Sequence, residues 1–267
     1  NAFIIETAED LTNLNFAAHG GATTPSEGLK GTTSLADLKA YYWTQDCNFV
    51  QTKDLGAVTF ANPIGDTTAF TGTYNGQNYT VSSLTVTGND NYAGMFGSIS
   101  AATLTNIKIS ALEIADTTST SVGGLVASVV GDSDISNINL TGVNLAVSTA
   151  ATAMGGLVGS AAGTTSISNV SVTAATNMII RSSAVAANVG GVVGSFTGTK
   201  IENAAFNSNV KSQGDTAAVS GATAGCVVGN NATIANVISS SCSCHSLVDL
   251  RDLEHKHIYD TDYDSSA

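Results

Sequence analysis

The amino-acid sequence predicts an all-β fold, a right-handed parallel β-helix (β-solenoid) with about three strands per coil of about 30–35 residues and a small N-terminal helical cap. Three observations support this prediction. A glycine-rich block recurs five times, a block ending in Asn follows each copy, and short apolar runs lie between them. None of these runs has the length or the period of a helix.

The glycine-rich blocks are the first landmark of the repeat. They lie at 93–98, 123–128, 155–160, 190–195 and 225–230. A thin coil needs glycine where the backbone approaches a facing strand or adopts a positive φ, so we interpret these glycines as structural. The blocks lack the Lys-Ser/Thr pair and the following helix of a phosphate-binding loop.

The second landmark places Asn two residues after an apolar residue. These asparagines are Asn106, Asn137, Asn169, Asn203 and Asn236, at steps of 31, 32, 34 and 33 residues. Within 167–172 the apolar alternation slips by one at the Asn, which indicates that the chain turns a corner there. Asn tolerates the left-handed backbone conformation, so we predict an internal ladder of stacked Asn amides that holds the corner and binds nothing.

The glycine blocks, above all 155–159 and 190–194, resemble the GLUG motif, which occurs in repeat regions of bacterial surface proteins, including IgA-specific metallopeptidases. The segments 62–65 and 70–81 are similar to the sequence that precedes the first such motif. The resemblance covers residues 60–240, and Ala127 and Cys226 depart from it by replacing glycines. It implies a secreted or cell-surface scaffold or adhesive module, with any catalysis in a separate domain.

Composition excludes several classes of protein. The 267 residues are 43% hydrophobic and only 11% charged, which is too apolar and too weakly charged for a disordered chain. A net charge of -12 without a basic run argues against nucleic acid and anionic membrane surfaces as partners. No apolar stretch approaches the length of a membrane span, so we expect no membrane insertion. The chain opens with Asn1, from which we expect that a targeting segment has been removed.

The sequence divides into three parts. Residues 1–56 are predicted to form an N-terminal capping layer, residues 57–244 the β-solenoid, and residues 245–267 an acidic C-terminal docking or capping segment. In the first part, Thr7 to Asp10 predicts a helix over about 8–18, and Ser34 predicts a second helix that runs to about Tyr41. A third capping-box-like start follows at 246–249, where Leu247, Leu250 and Leu253 could form an apolar stripe.

The two ends of a solenoid carry unpaired strands, and we therefore expect end-to-end self-association, including a head-to-tail filament. The tail would dock either on its own rod or on a neighbouring molecule, and we favour the neighbour, whose Tyr41, Tyr42 and Trp43 would form the docking surface. The same aromatic residues could stack on surface glycans, although core packing is the favoured interpretation. We expect the four cysteines to form one or two disulfides, and their pairing within or between chains stays open; they are Cys47, Cys226, Cys242 and Cys244.

A carbohydrate-binding or polysaccharide-degrading β-helix is the alternative function. A degrading enzyme needs a carboxylate pair, or a carboxylate beside a basic residue, on neighbouring coils. The acids of the repeat region fall at unrelated positions relative to their coil's Asn: Glu113, Asp116, Asp132, Asp134, Glu202 and Asp215. We therefore predict no catalysis and neither cofactor nor metal. The acidic run 260–264 lacks part of the calcium-loop pattern, and the cluster 252–257 lacks a complete set of transition-metal ligands. Ice binding would require pairs of Thr at equivalent places in successive coils, and the pair Thr85 and Thr87 is not repeated in later coils.

N-glycosylation sequons begin at Asn78, Asn139, Asn169 and Asn231. Asn139 lies two residues beyond a ladder position, where the other coils have Lys108, Ser171, Ala205 and Ile238. We therefore expect Asn139 to face outward, whereas Asn169, as a ladder residue, is expected to face inward.

Overall fold

The computed structural model describes residues 2–18, 47–87, 91–115, 118–145, 151–175, 179–182, 188–207, 209–212, 223–225, 227–231, 237–238, 241–242 and 246–248. These residues form a parallel β-solenoid with very little helix, so the predicted fold class is confirmed.

The helix and strands are numbered here along the chain. They are β1 (Phe3–Ile5), α1 (Ala8–Ala18), β2 (Asn48–Gln51), β3 (Leu55–Phe60), β4 (Thr73–Asn75), β5 (Thr80–Val86), β6 (Tyr92–Ala93), β7 (Phe96–Ile99), β8 (Thr103–Ile109), β9 (Leu112–Ile114), β10 (Ser121–Gly123), β11 (Val126–Val129), β12 (Asp134–Leu145), β13 (Ala153–Gly155), β14 (Val158–Ala161), β15 (Ser166–Ala174), β16 (Ile179–Ser182), β17 (Asn188–Gly190), β18 (Val193–Phe196), β19 (Lys200–Asn207), β20 (Asn209–Ser212), β21 (Thr223–Gly225), β22 (Val228–Asn231), β23 (Val237–Ile238), β24 (Ser241–Cys242) and β25 (Ser246–Val248).

Equivalent strands of successive coils pair in parallel and build four sheets. The main sheet follows the order β1-β2-β4-β8-β5-β9-β12-β15-β19-β23, with β3 on β5 and β24 on β19. The first corner sheet is β6-β10-β13-β17-β21, and the second corner sheet is β7-β11-β14-β18-β22. A three-stranded side sheet, β16-β20-β25, accompanies the later coils. Each coil thus passes through the first corner sheet, the second corner sheet and the main sheet in turn.

Columns of apolar side chains fill the interior. One column on the main sheet contains Leu104, Ile135, Ile167 and Ile201, which pair in register and are fully buried. Burying each such side chain stabilises the fold by about 1.5–3 kcal/mol. Toward the N-terminus, Phe49, Phe70 and Phe96 continue the core as successive aromatic contacts at centroid distances of 6.2 and 5.2 Å.

A buried polar contact lies beside these aromatic rings. Tyr74 is fully buried, and its hydroxyl donates to Oε1 of Gln51 at 3.2 Å. Burial raises the pKa of Tyr74 above its ordinary value.

The N-terminal helix is confirmed at its predicted bounds, Ala8–Ala18. Thr7 and Asp10 form a reciprocal capping box: Asp10 N donates to Thr7 Oγ1 at 3.1 Å, and Thr7 N donates to Asp10 Oδ2 at 2.9 Å. Leu11 and Leu14 are buried in the core cluster. The helix predicted from Ser34 lies outside the described residues.

The structure differs from the sequence analysis at the start of the solenoid and at 246–248. Strands β1 and β2 pair in register with each other and with the main sheet, so the solenoid begins earlier than predicted and the boundary at Gly56 falls inside β3. Residues Ser246–Val248, predicted to start a helix, form β25, in which Leu247 pairs with Lys211 of β20. Pairing with an existing strand edge overrides the local capping signal there.

Candidate functional site

Asparagine holds one corner of each coil on the main sheet. Asn106, Asn137, Asn169 and Asn203 have φ values of 55°, 55°, 54° and 50°, within the left-handed region that most side chains avoid. The residues on both sides of each Asn remain in register with the neighbouring coil, as Ile135 and Ile138 do with Ile167 and Val170. The Asn therefore turns the chain without interrupting the parallel ladder.

The Asn side chains also bond from coil to coil. Nδ2 of Asn137 donates to Oδ1 of Asn106 at 3.2 Å, and Nδ2 of Asn203 donates to Oδ1 of Asn169 at 3.0 Å. The expectation of an internal ladder is wrong, because Asn137, Asn169 and Asn203 are exposed and Asn106 is half-buried. At the corner the apolar residues on both sides point inward, which leaves the Asn outside. Asn236 lies outside the described residues.

Sequence reasoning missed one member of this ladder. Asn75 accepts a hydrogen bond from Asn106 Nδ2 at 3.0 Å through its Oδ1, which also accepts from the backbone N of Gln77 at 2.9 Å. Gly76 and the left-handed residues Gln77 and Asn78 follow it, so this coil turns with a different local sequence. The Asn75-Gly76 pair was the available signal, since it is typical of a tight turn.

The glycine blocks form the corner between the first and second corner sheets. A Cβ on Gly155 would collide with the backbone oxygen of Val158, and Gly190 meets Val193 in the same way. A Cβ on Gly159 would lie 2.5 Å from the backbone oxygen of Ala127 in the preceding coil. These glycines therefore recur at a regular spacing because the two corner sheets approach so closely that a Cβ at these positions would collide with backbone atoms.

This contact buries the second corner sheet on both faces. All four residues of β7 and all four of β11 are buried, although only alternate residues face the core. Ser121 Oγ donates to the backbone oxygen of Ala127 at 2.5 Å, and Ser160 Oγ to Ser128 Oγ at 3.4 Å. Small hydroxyl side chains thus satisfy polar groups where larger ones would not fit.

The first copy of the block departs from the other copies. Ala93 pairs with Val122, whereas the sequence pattern aligns it with Gly123. Phe96 nevertheless pairs with Val126, as the pattern predicts. The corner of the first coil is therefore one residue shorter than the next one.

The outer face of the main sheet carries mainly hydroxyl and amide side chains. One outward column contains Asn75, Thr105, Ser136, Ser168 and Glu202, and a parallel column contains Lys108, Asn139, Ser171 and Ala205. Ser136 Oγ donates to Thr105 Oγ1 at 3.2 Å, so neighbouring coils are also linked on this face. The rows are about 4.8 Å apart, the spacing of paired strands. We call this surface the outer polar face.

The described acids do not form a carboxylate pair in adjacent coils of this face. Asp134 stands on β12, and Glu202 on β19, two strands away and in a different column. Glu202 instead bonds Lys200 Nζ at 2.6 Å, and Glu113 lies on β9. Asp132 accepts hydrogen bonds from the Thr164 side chain and backbone, which hold its pKa below the usual carboxyl value. Asp116 and Asp215 lie outside the described residues.

The register places two of the cysteines far apart. Cys47, which directly precedes β2, is buried, and Cys242 is paired with Phe206 at the other end of the main sheet. The path from β2 to β24 crosses β4, β8, β12, β15 and β19, a separation of about 29 Å at about 4.8 Å per strand. A disulfide between Cys47 and Cys242 of one chain is therefore excluded. Cys226 and Cys244 lie outside the described residues.

The sequon asparagines differ in their surroundings. Asn78 and Asn139 are exposed, as expected for Asn139, whereas the expectation that Asn169 faces inward is wrong for the reason given above. Asn231 lies at the end of β22, and its side chain is not described. The aromatic residues Tyr41, Tyr42 and Trp43 lie outside the described residues.

Two kinds of feature are absent from the residues that the structure describes. No helix there has the length and apolar character needed to cross a membrane. No group of three or more His, Cys, Asp or Glu side chains in the described residues is placed to hold a metal ion.

Comparison with known proteins gave one match. The model of the GLUG motif matches residues 150–177, a span that contains the glycine corner between β13 and β14, and the exposed Asn169 corner on β15. No curated protein and no solved structure matched the chain. The same corner pairs in register with its counterparts in the adjacent coils, from β10 to β21. The chain therefore carries a GLUG motif in one coil of a β-solenoid, and the matched corner recurs in the neighbouring coils, which supports a GLUG-motif repeat protein.

Proposed function

We propose that this protein is a non-catalytic structural or adhesive module that is secreted or held at the cell surface. The observation that carries the proposal is the outer polar face, where short hydroxyl and amide side chains stand in register over successive coils. Such a face presents a regular surface over successive coils. Its resemblance to the repeat regions of bacterial surface proteins supports the same assignment.

The location can be tested on intact cells of the source organism. Antibodies against the folded protein should label cells that have not been permeabilised, or should detect the protein in the culture medium. A signal that requires permeabilisation would contradict the proposal.

Adhesion through the outer polar face needs a separate test. Beads coated with the protein should bind cells or immobilised surface glycans. Ser136→Lys with Ser168→Lys should reduce binding, because two long cations then replace adjacent hydroxyl groups on the outer polar face. Val130→Lys is the matched control, since Val130 is 53% exposed and lies outside those two columns. Equal binding by all three proteins would place adhesion elsewhere on the molecule.

The alternative is a carbohydrate-binding or polysaccharide-degrading β-helix. The hydroxyl-rich outer polar face favours carbohydrate binding over cleavage, because its described acids Asp134 and Glu202 lie two strands apart in different columns. A glycan array would reveal binding, and the release of new reducing ends from neutral or acidic polysaccharides would reveal cleavage. Cleavage by the purified protein would overturn the non-catalytic assignment.

Self-association end to end stays a prediction. The N-terminal end of the rod is covered by α1, whose leucines are buried against the core. A head-to-tail filament would have to use the opposite end together with a surface outside this helix. Light scattering and electron microscopy of the purified protein distinguish filaments from monomers.

A further inference from the structure

Two neighbouring columns of mainly polar side chains lie on the part of the outer polar face that follows the Asn corner. Their residues alternate with buried apolar ones, as Asn139 and Thr141 do with Ile138 and Leu140, so both columns face away from the core. Parallel pairing aligns the columns over β8, β12, β15 and β19. The first column contains Lys108, Asn139, Ser171 and Ala205, and the second contains Ser110, Thr141, Thr173 and Asn207.

The two columns offer different hydrogen-bonding groups to a ligand. In the second column, Ser110 Oγ donates to the backbone oxygen of Ser82 at 2.9 Å, and Thr141 Oγ1 donates to that of Ser110 at 3.3 Å. The fold thus uses these hydroxyl hydrogens, while the hydroxyl oxygens can still accept. In the first column, the side chains of Lys108 and Asn139 form no hydrogen bond with a described residue, so their N–H groups are available. The rows on β8 and β12 therefore each place a donor beside an acceptor.

The spacing of these groups restricts the shape of the ligand. Rows in successive coils are about 4.8 Å apart along the solenoid axis, and the two columns, two residues apart on each strand, are about 6.7 Å apart. A linear β-linked chain of pyranose sugars has a repeat per sugar close to the row spacing, and its hydroxyls, which both donate and accept, extend to both sides of each ring. An extended peptide on the same axis advances about 3.3 Å per residue and does not stay in register with the rows.

The charge and composition of the two columns argue against other classes of ligand. Lys108 is their only charged residue, and the whole chain has a net charge of -12, so the columns do not match a polyanion. Among the described residues, the exposed large hydrophobic side chains are Tyr79 and Val130, and neither belongs to the columns. A lipid surface is therefore also a poor match, and a neutral ligand that forms many hydrogen bonds is favoured.

We propose that the two columns bind a neutral, linear, β-linked polysaccharide that lies along the solenoid axis with one sugar per coil. This inference rests on the proposed adhesive function and names the ligand class. Neither column contains an aromatic residue on which a sugar could stack, so binding depends on hydrogen bonds that recur from coil to coil. The association constant should therefore rise with the length of the sugar chain until the chain spans the rows from β8 to β19.

The first test is titration calorimetry of the full chain, produced without glycosylation, with soluble cello- and chito-oligosaccharides of increasing length. Both series are linear and β-linked, and for at least one of them the association constant should rise about tenfold or more from the disaccharide to chains that span the rows. Malto-oligosaccharides of the same lengths are the matched probe, because they contain the same sugar as the first series in a curved, α-linked chain. They should bind at least about tenfold more weakly than the better β-linked series.

The second test changes the first column on two adjacent strands. Asn139→Ala with Ser171→Ala removes two hydrogen-bonding groups from the surface and should lower the association constant at least about fivefold. Asn144→Ala is the matched control and should bind like the parent protein. Asn144 is exposed on the same strand as Asn139 but follows the register shift at Gly142 and lies outside both columns.

Three results would overturn the proposal: absence of binding by both β-linked series, equal binding of the α-linked series, and a double variant that binds like the parent. The length series on the parent protein decides the matter if the double variant does not fold. Coated beads that bind cells while neither β-linked series binds would refute this ligand and leave the adhesive function standing. Binding of a β-linked series by a protein that binds no cells would refute adhesion and leave the ligand standing.

Discussion

Substitution of Asn169 separates the two contributions that an exposed Asn corner makes to stability. Its φ of 54° is unfavourable for residues other than Gly, Asn and Asp, and its Oδ1 accepts a hydrogen bond from Asn203. Asn169→Gly removes the hydrogen bond but tolerates the φ, at a cost of about 0.5–1.5 kcal/mol. Asn169→Ala removes the bond and also strains the backbone, which adds about 1–2 kcal/mol. Asn169→Leu should resemble Asn169→Ala, because the side chain is exposed and the backbone strain is the same.

The free energy of unfolding of each variant can be measured by urea denaturation followed by circular dichroism. Asn139→Ala is the control: this Asn is exposed on the same strand type but has an extended backbone, and the change should be within about 0.5 kcal/mol. If Asn169→Ala is no less stable than Asn169→Gly, the left-handed corner does not contribute as argued. A neutral effect of all Asn169 variants would refute both contributions.

Three further predictions follow from the site geometry. Gly155→Ala should cost about 1–3 kcal/mol because its Cβ meets a backbone oxygen, whereas Gly56→Ala, with open space around its Cβ, should be neutral; thermal melts compare them. The pKa of Asp132 is lowered on folding, so its contribution is present above the ordinary carboxyl pKa and is lost as pH falls through the lowered value. Asp132→Asn should therefore lose less Tm on acidification than the parent protein. In a host that glycosylates sequons, glycopeptide mass spectrometry should find Asn139 occupied more than Asn169, whose amide takes part in the ladder; the reverse order would contradict this.

The periodicity of the sequence was sufficient to predict the fold class, because equivalent residues recur at a nearly constant spacing and parallel strand pairing places them side by side. The Asn corners and the N-terminal helix could be predicted because Asn in the left-handed region and a Thr-x-x-Asp cap are local signals. The side of the sheet on which Asn169 lies could not be predicted. A one-residue corner reverses the inward and outward alternation of side chains, so an inward and an outward Asn169 both fit the same apolar pattern. The strand at 246–248 was missed because its pairing partner, β20, is supplied by the fold and not by the local sequence.

The close contact between the two corner sheets limits which parts of the chain can vary. Even the Cβ of an Ala at Gly159 would lie 2.5 Å from the backbone oxygen of Ala127, so a side chain there requires the backbones to move apart, and this contact restricts the corner to glycine and other small residues. Residues such as Ser136 or Ser171, on the outer polar face, meet no such restriction and can change one at a time without moving the coil. The repeat motif therefore marks positions at which most substitutions would disrupt the fold. Related proteins that bind different ligands should differ instead at the positions outside the motif, such as those of the outer polar face.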